Sequence, residues 1–321
     1  MNQKEKYYPT ATHWGQFLVE AKNGSIVAVH NYDDEPEPSP IGQSLLDSQN
    51  TNCRIMQPMI RKGYRSNRHR DQNKSRGREP FVAVSWEEAL DTAADALQTV
   101  KDSNGNSAIY GGSYGWASAG RFHHSQSQLH RFLNQFGGYT RSDRTYSAAA
   151  GEVILPHVLG FDLYTLFLHT TPWKDIADFG ELVVCFGGVP PKNLQVVMGG
   201  PGAHNSREQL TRCKNSKVRF VNISPIKDDL PDYLEAEWLP IRPSTDVAFI
   251  LALCHTLLVE KLYDREFLEK YTVGFSRFGD YLLGVHDGEE KDPEWAESIT
   301  GIEQHTIISL ARKMSSSRCF I

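Results

Sequence analysis

Two short apolar runs in the second half of the chain constrain its fold more than any other feature. Residues 182–186 (LVVCF) end at a pair of glycines, and residues 218–223 (VRFVNI) end at a Ser-Pro pair. Continuous apolar strands separated by helical segments are typical of a parallel sheet that is covered on both faces. Residues 247–261 and 302–314 are the clearest helical segments of this half. The pattern predicts an α/β fold with a mostly parallel sheet.

The first half of the chain begins with a different pattern. Residues 16–20 and 25–30 are extended segments that flank an Asn-Gly turn, which predicts a β-hairpin. The acidic, proline-rich stretch 33–40 (DDEPEPSP) is predicted to be a loop, because it suits neither a helix nor a central strand. A small β-rich unit is therefore expected over residues 1–60.

Helical and extended patterns alternate in the middle of the chain. Residues 85–88 (SWEE) form a capping box, which predicts an amphipathic helix from Trp86 to about Lys101. A short strand is predicted at 108–110. A second helix is predicted at about 119–136, where two glycines follow it.

These patterns divide the chain into three predicted parts. After the β-rich unit, we expect an α/β domain over 61–180 and a Rossmann-like α/β domain over 181–321. The final residues, RCFI, resemble the beginning of a core strand with no helix after it. We therefore expect the last domain to be incomplete.

Composition excludes several classes of protein. A chain of 321 residues is long enough for roughly two domains, each with its own core. The net charge of -5 and the absence of a nucleic-acid motif argue against a nucleic-acid partner, and the basic stretch 61–78 is predicted to be a solvated loop. No run of about 18 apolar residues is present, so no membrane span is expected.

The N-terminal sequence bears on location. MNQKEKYYPTATHWG contains neither the apolar core of a secretory signal nor twin arginines, so a cytoplasmic protein is expected. A periplasmic location is the alternative if a twin-arginine leader precedes this start.

The cysteines are too widely spaced for a metal cluster. The five are Cys53, Cys185, Cys213, Cys254 and Cys319, and no CxxC pair can be made from them. This spacing predicts neither a zinc site nor an iron-sulfur cluster.

Three short strings carry the candidate chemistry: 111–116 (GGSYGW), 144–147 (RTYS) and 243–248 (PSTDVA). Taken alone, each has an ordinary structural explanation. The first is explained by a glycine turn with aromatic core residues, Ser147 by a helix N-cap, and Asp246 by the cap of the next helix. A serine hydrolase is weakly supported because the GxSxG elbow is absent. A nucleotide-binding α/β protein without redox chemistry is a remote alternative, since GxGxxG is also absent.

Taken together, in this order and spacing, the strings resemble the molybdopterin oxidoreductase superfamily. Within it they are most similar to the N-terminal portion of the branch containing dimethyl sulfoxide, trimethylamine N-oxide and biotin sulfoxide reductases. Further matching strings are 11–15 (ATHWG), 84–90 (VSWEEAL) and 137–140 (GGYT). The resemblance covers nearly the whole chain, which a single motif could not do.

The resemblance implies a cofactor and an activity. The cofactor is molybdenum with bis(molybdopterin guanine dinucleotide), without an iron-sulfur cluster. The activity is the reduction of S-oxides or N-oxides by oxygen-atom transfer. The substrate would be a small sulfoxide or N-oxide such as dimethyl, biotin or methionine sulfoxide or trimethylamine N-oxide, with an unidentified electron donor. A truncated, catalytically inactive fragment of such a reductase is the alternative.

The resemblance also implies roles for residues of the metal site. Ser147 matches the serine that binds molybdenum in this branch, and a hard oxygen ligand suits a high-valent metal. Tyr114 and Trp116 match the aromatic residues near the metal. Their O–H and N–H groups can donate hydrogen bonds to a substrate while the rings exclude water. Trp116 is also expected to contact the cofactor.

A second group of residues matches the nucleotide-binding loops of the family. The group consists of Pro190, Lys192, Asn193, Ile223, Ser224, Pro225, Ser244 and Asp246. Among them, Asp246 is expected to bind guanine. The chain departs from the family at Val189, which replaces Asn or Asp, and at Ser224, which stands where many members have an aspartate facing the ribose. A serine can still donate and accept hydrogen bonds there.

Overall fold

The computed structural model describes residues 6–49, 52, 54–67, 76–113, 124–196 and 202–321. The chain forms two compact units. The first contains Met1–Leu163 and Val196–Ala203, and the second contains Tyr164–Gln195 and His204–Ile321. The three-part division expected from the sequence stays a prediction. Within the described residues, no helix has the length and apolar character needed to cross a membrane.

The first unit combines small antiparallel sheets with helices. In chain order its elements are β1 (Lys6–Thr12), β2 (Gly15–Lys22), β3 (Ser25–Asn31), α1 (Ser44–Ser48), β4 (Met59–Arg61), α2 (Lys62–Ser66), β5 (Phe81–Ala83), α3 (Trp86–Asn104), α4 (Ser125–Gln135) and α5 (Ala149–Val158). Strands β1, β2 and β3 form one antiparallel sheet in that order, and β4 pairs with β5.

The predicted hairpin is confirmed as β2 and β3. Lys22 pairs with Ser25, so the turn contains only Asn23 and Gly24. Their φ angles are 55° and 80°. Two central residues with positive φ are what a type I′ turn requires, which explains the Asn-Gly pair.

The predicted helix that opens at Ser85 is also confirmed as α3. The Ser85 hydroxyl accepts a hydrogen bond from the Glu88 N–H at 3.1 Å. The Glu88 carboxylate pairs with Arg65, whose Nε lies 2.7 Å away. On the face that the sequence marks as apolar, Leu90 is 62% exposed. Ala89 and Leu97 of the same face are partly buried, so the face is covered only in part within the described residues.

Two predictions in this unit are wrong. Residues 108–110 do not form a strand, because Asn106–Ala108 is a 3-10 turn and only an isolated parallel bridge joins Tyr110 to Thr140. The second helix begins at Ser125 rather than near residue 119, because the extended His124 caps it and accepts the Ser127 N–H at 3.2 Å. Residues 114–123 lie outside the described part of the chain.

The second unit contains a parallel sheet with helices. Its elements are α6 (Leu163–Leu168, entered from the first unit), α7 (Trp173–Phe179), β6 (Leu182–Phe186), α8 (Ser206–Asn215), β7 (Arg219–Ile223), β8 (Glu237–Leu239), α9 (Asp246–Val259), α10 (Arg265–Tyr271), α11 (Phe275–Leu282), α12 (Pro293–Thr300), α13 (Gln304–Ser315) and β9 (Cys319–Phe320). The strand order is β8-β7-β6-β9, and all pairs are parallel. The predicted parallel sheet and the final strand are confirmed.

Both faces of this sheet are covered by apolar residues. Leu182 and Val184 of β6 belong to one cluster with Phe249 of α9, whereas Val183 and Cys185 belong to the other cluster. Because successive side chains of a strand point to opposite faces, a strand buried on both sides must be apolar throughout. Burial raises the pKa of the Cys185 thiol to about 12, so this cysteine stays protonated and is a core residue.

Candidate functional site

Ser147 lies in the loop that leads into α5. The cap position of that helix is occupied by Ala148, with φ -139° and ψ 5°, so the N-cap explanation for Ser147 does not apply. The Ala149 N–H bonds instead to the Thr145 carbonyl at 3.1 Å. Ser147 is exposed, and its hydroxyl makes no hydrogen bond within the described part of the chain. This oxygen is therefore available to a ligand.

The segment before Ser147 is joined to the segment that leads toward Tyr114 and Trp116. The Thr140 N–H donates to the Ile109 carbonyl at 2.8 Å, and the Gly111 N–H donates to the Thr140 carbonyl at 2.9 Å. Beyond the bridge, the Tyr110 and Ser142 hydroxyls lie 2.9 Å apart. Because the bridge is parallel, the chain runs in the same direction at Tyr110 and at Thr140, which precede the two strings of the predicted metal site.

Tyr114 and Trp116 lie outside the described residues. The residue before them, Ser113, bonds to Ser125 at the start of α4, with an oxygen separation of 3.0 Å. Their predicted roles beside the metal stay predictions.

In the second unit, the candidate nucleotide residues follow the carboxyl ends of β6, β7 and β8. From β6 the chain continues to β7 and then β8 on one side, whereas β9 pairs with the other side of β6. Open parallel sheets bind ligands at such a switch point, outside the carboxyl ends of the strands. Strands β6 and β8 are two positions apart, so their loops start roughly 10 Å from each other.

The loop after β6 is anchored to the loop after β7. The Gly187 N–H donates to the Ile223 carbonyl at 2.9 Å, and the Val189 N–H donates to the Asp229 carbonyl at 2.8 Å. Gly188 has φ 70°, and a Cβ there would lie 2.2 Å from the Asp229 carbonyl oxygen. The two loops approach so closely that only glycine fits at this position.

The next residues of this loop present polar groups to solvent. The Pro190 carbonyl accepts the Asn193 N–H at 2.9 Å, which starts the 3-10 turn Pro191–Gln195. Lys192 and Asn193 are exposed, and neither side chain has a hydrogen bond or ion pair within the described residues. Lys192 therefore offers an uncompensated positive charge at the carboxyl edge of the sheet.

The predicted residues at the end of β7 are differently placed. Ile223 and Ser224 are both fully buried, whereas Pro225 is exposed. The Ser224 hydroxyl donates to Asp229 Oδ2 at 2.6 Å and accepts the Ile226 N–H at 3.1 Å. Ile223 thus packs in the core, and the Ser224 hydroxyl bonds within the protein.

The loop after β8 leads to the first residue of α9. Ser244 is exposed with φ 64°, and Thr245 occupies the N-cap without a side-chain cap bond. Asp246 is the first helical residue, so it is not the cap. Its carboxylate has no hydrogen bond or ion pair within the described part of the chain, and the positive end of the helix dipole stabilises its negative charge.

Asp229 is a polar residue of this edge that reasoning from the sequence missed. Its carboxylate bonds to Ser224, and its carbonyl bonds to the loop after β6. A pair of adjacent aspartates, Asp228 and Asp229, was the only available signal, and an acidic pair in a loop is usually a solvated turn. No group of three or more His, Cys, Asp and Glu side chains that could hold a metal is present among the described residues.

Two family profiles match the chain. The profile described as "Molybdopterin oxidoreductase" matches residues 54–317, and that of its N-terminal domain matches residues 10–49. The chain belongs to the molybdopterin oxidoreductase family. Membership confirms the predicted family and implies a molybdenum-molybdopterin cofactor.

Characterised members of the family resemble the chain over most of its length. It is 40% identical over 295 residues to the biotin sulfoxide reductase of Cereibacter sphaeroides, covering 92% of this chain and 40% of that protein. It is 37% identical over 309 residues to the dimethyl sulfoxide/trimethylamine N-oxide reductase of the same organism, covering 96% of this chain and 37% of that protein. The chain thus spans well under half the length of these relatives.

A solved structure supports the fold. Acetylene hydratase from Pelobacter acetylenicus superposes with a TM-score of 0.53 and 19% identity, covering 92% of this chain and 36% of that protein. At this identity the similarity bears on the fold alone. It agrees with the α/β fold class predicted from the sequence.

Proposed function

We propose that this chain carries the metal-ligand segment and part of the nucleotide site of a molybdenum-dependent reductase. Its substrates are small sulfoxides or amine N-oxides, from which an oxygen atom is removed. Both relatives described above are named for such oxides: one for biotin sulfoxide, the other for dimethyl sulfoxide and trimethylamine N-oxide. An external electron donor, whose identity we leave open, completes the reaction.

The observation that carries the proposal is the state of Ser147. Its hydroxyl is exposed, is not the cap of α5, and has no hydrogen-bond partner within the described residues. A serine that neither caps a helix nor makes a side-chain hydrogen bond within the described residues can supply its oxygen to a metal. A hard oxygen ligand suits a high-valent molybdenum centre. The residues present therefore fit a cofactor that takes its protein ligand from a serine.

The second unit fits the nucleotide part of the cofactor, which we propose to be the guanine dinucleotide form. Lys192 is an exposed cation suited to a diphosphate, and Asn193 can donate to its oxygens. The Asp246 carboxylate can accept hydrogen bonds from N–H groups of guanine. Pro190, Pro225 and Ser244 shape the surrounding loops.

The cofactor and the protein have different parts in the proposed reaction. When bound, the molybdenum-pterin group supplies the two-electron reduction in which the oxygen of the oxide is released as water. Ser147 would supply the protein's oxygen ligand to the metal. Tyr114 and Trp116 donate hydrogen bonds to the oxide and exclude bulk water from it.

We further propose that the cofactor works without an iron-sulfur cluster in this chain. The cysteines of the described residues are Cys185, Cys213, Cys254 and Cys319, and none is fully exposed. No group of three or more His, Cys, Asp and Glu side chains that could hold a metal is found among the described residues, and the spacing of the five cysteines of the sequence provides no CxxC pair.

The experiment is an oxide-reduction assay on the 321-residue chain, expressed in cells that make the pterin dinucleotide. Dimethyl sulfoxide, biotin sulfoxide and trimethylamine N-oxide are each supplied with a reduced dye, and the sulfide or amine formed is quantified by mass spectrometry. We expect turnover of at least one oxide by the wild type and by Ser103→Ala, a control at an exposed serine of α3 that makes no side-chain hydrogen bond within the described residues, and its loss in Ser147→Ala. Undiminished turnover by Ser147→Ala would contradict the proposal, whereas no turnover by the wild type would favour the alternative of a truncated, catalytically inactive fragment.

A further inference from the structure

The carboxyl end of β7 lacks an exposed polar side chain at its first position. Ser224 follows the strand directly and is fully buried. Its hydroxyl donates to Asp229 and accepts the Ile226 N–H, and its carbonyl accepts the Trp238 Nε1–H at 2.9 Å. The Ser224 hydroxyl is buried and already makes both of these hydrogen bonds within the protein. Ser224 is therefore poorly placed to bind a ligand directly.

Asp229 brings a carboxylate to the same place. Its Oδ2 lies 2.6 Å from the Ser224 oxygen, which fixes one side of the carboxylate. Its main chain is fixed as well, because its carbonyl accepts the Val189 N–H at 2.8 Å. Oδ1 makes no hydrogen bond within the described part of the chain, and the residue is partly exposed. Asp229 Oδ2 is therefore engaged by the Ser224 hydroxyl, whereas Oδ1 can accept a hydrogen bond from a ligand.

Gly188 packs closely against Asp229, so the fold fixes the position of Asp229. A Cβ on Gly188 would meet the Asp229 carbonyl oxygen at 2.2 Å and its Cβ at 2.7 Å. The loops after β6 and β7 are thus held in contact at Asp229. In βαβ units that bind dinucleotides, an acidic side chain downstream of the glycine turn accepts a hydrogen bond from a ribose hydroxyl.

We propose that Asp229 binds the ribose hydroxyls of a nucleotide at the carboxyl edge of the sheet, oriented for this role by the hydroxyl of Ser224. The inference rests on the proposed function, because it needs a nucleotide at this edge. The ligand class is a guanosine nucleotide with an intact ribose diol. Ser224 is a positioning residue in this arrangement, and Asp229 is the residue in contact.

The neighbouring acidic residues are worse placed for this role. Asp228 is exposed and makes no hydrogen bond to either loop within the described residues. The Glu235 carboxylate already pairs with Lys214 at 2.7 Å. Asp228 therefore makes a matched control for Asp229, since the two differ in anchoring but not in charge.

The experiment is a binding cycle on the purified 321-residue chain, with guanosine diphosphate and its 2′-deoxy analogue as probes. Isothermal titration calorimetry measures Kd for the wild type, Asp229→Asn and Asp228→Asn. Asn keeps the shape of Asp and can still accept the Ser224 hydrogen bond. We expect Asp229→Asn to weaken binding of guanosine diphosphate roughly 10- to 100-fold, whereas Asp228→Asn binds as the wild type does.

The deoxy analogue identifies the group that is recognised. It is expected to bind the wild type about 10-fold more weakly than guanosine diphosphate, and to bind Asp229→Asn with the same affinity as guanosine diphosphate. Equal losses in Asp228→Asn and Asp229→Asn, or an unchanged preference for ribose in Asp229→Asn, overturn the inference alone. No binding of either probe by the wild type overturns the inference and the proposed nucleotide site together. Thermal unfolding of each variant shows that a lost affinity is not lost folding.

Discussion

The two compact units differ in how they bury their apolar residues. Both apolar clusters found among the described residues lie in the second unit, around β6 and β7. Among the described residues of the first unit, the buried apolar ones are Phe17, Val19, Val29, Ile109 and Leu133. Many large apolar side chains of the first unit are exposed instead, including those of Trp86, Leu90 and Ile154.

This difference separates two kinds of functional residue. Asp229 and Lys192 belong to loops of the second unit, which has the dense core. The backbone of these loops is held by hydrogen bonds, such as the one from the Val189 N–H to the Asp229 carbonyl. Ser147 belongs to a loop of the unit with few buried residues. A site on a well-packed scaffold is held in position by its own unit. The segment with Ser147 has little such support within the described residues.

The largest expected effect comes from the core of the second unit. Phe249 is fully buried in the cluster around β6, whereas Phe81 in the first unit is 59% exposed. Phe249→Ala leaves a cavity and is expected to lower the free energy of unfolding by about 3–5 kcal/mol. Phe81→Ala should lower it by less than about 1 kcal/mol. Urea denaturation measures both, and equal losses would contradict the contrast between the units.

A second test uses the contact between the two loops of the nucleotide edge. Gly188→Ala places a Cβ against the Asp229 backbone at positive φ, and we expect a loss of stability of about 2–4 kcal/mol. Gly187→Ala is the matched control, because its φ is 81° but nothing lies within 4 Å of the added Cβ. It should cost about 1–2 kcal/mol. Identical denaturation midpoints for the two variants would show that the contact between the loops after β6 and β7 does not contribute to stability.

The smallest expected effect concerns acid stability of the second unit. Hydrogen bonds from the Arg318 backbone and guanidinium hold the pKa of Glu181 below its ordinary value. A lowered pKa in the folded state stabilises the protein above the ordinary glutamate pKa, and this contribution is lost as the pH falls through the lowered pKa. Glu181→Gln should therefore show a weaker decline of thermal stability in that acidic range than the wild type.

A control separates this effect from general acid denaturation. Asp228 is exposed, lies in no α-helix and makes no ion pair within the described residues. Asp228→Asn should follow the wild-type pH profile. If Glu181→Gln also follows it, the pair with Arg318 does not contribute to stability, which is common for exposed ion pairs.

Much of the fold could be predicted from the sequence, because its signals are local. The apolar runs that became β6 and β7, the Asn-Gly turn and the capping serine at Ser85 all act over a few residues. The start of α4 was missed because a histidine, rather than a usual capping residue, occupies the cap position at His124. The strand predicted at 108–110 does not form, because its first residue completes a 3-10 turn.

The candidate site could be predicted only in part. Sequence patterns identified Ser147 and Asp246 as residues of interest, but they could not exclude capping roles, which depend on backbone angles. The structure places neither at a cap. The role of Ser224 was harder to foresee, because its hydroxyl donates a hydrogen bond to Asp229, five residues later, and the Asp229 carbonyl in turn bonds to the loop after β6. Contacts of that kind follow from tertiary packing and leave no periodic signal.

The central claim is that Ser147 is the protein ligand of molybdenum. Its most direct test is the molybdenum content of the purified chain, measured by inductively coupled plasma mass spectrometry after expression in cells that make the cofactor. We expect about one molybdenum per chain in the wild type and in the control Ser103→Ala, and a large loss in Ser147→Ala. Equal molybdenum in Ser147→Ala and the wild type, or none in the wild type, would contradict the claim.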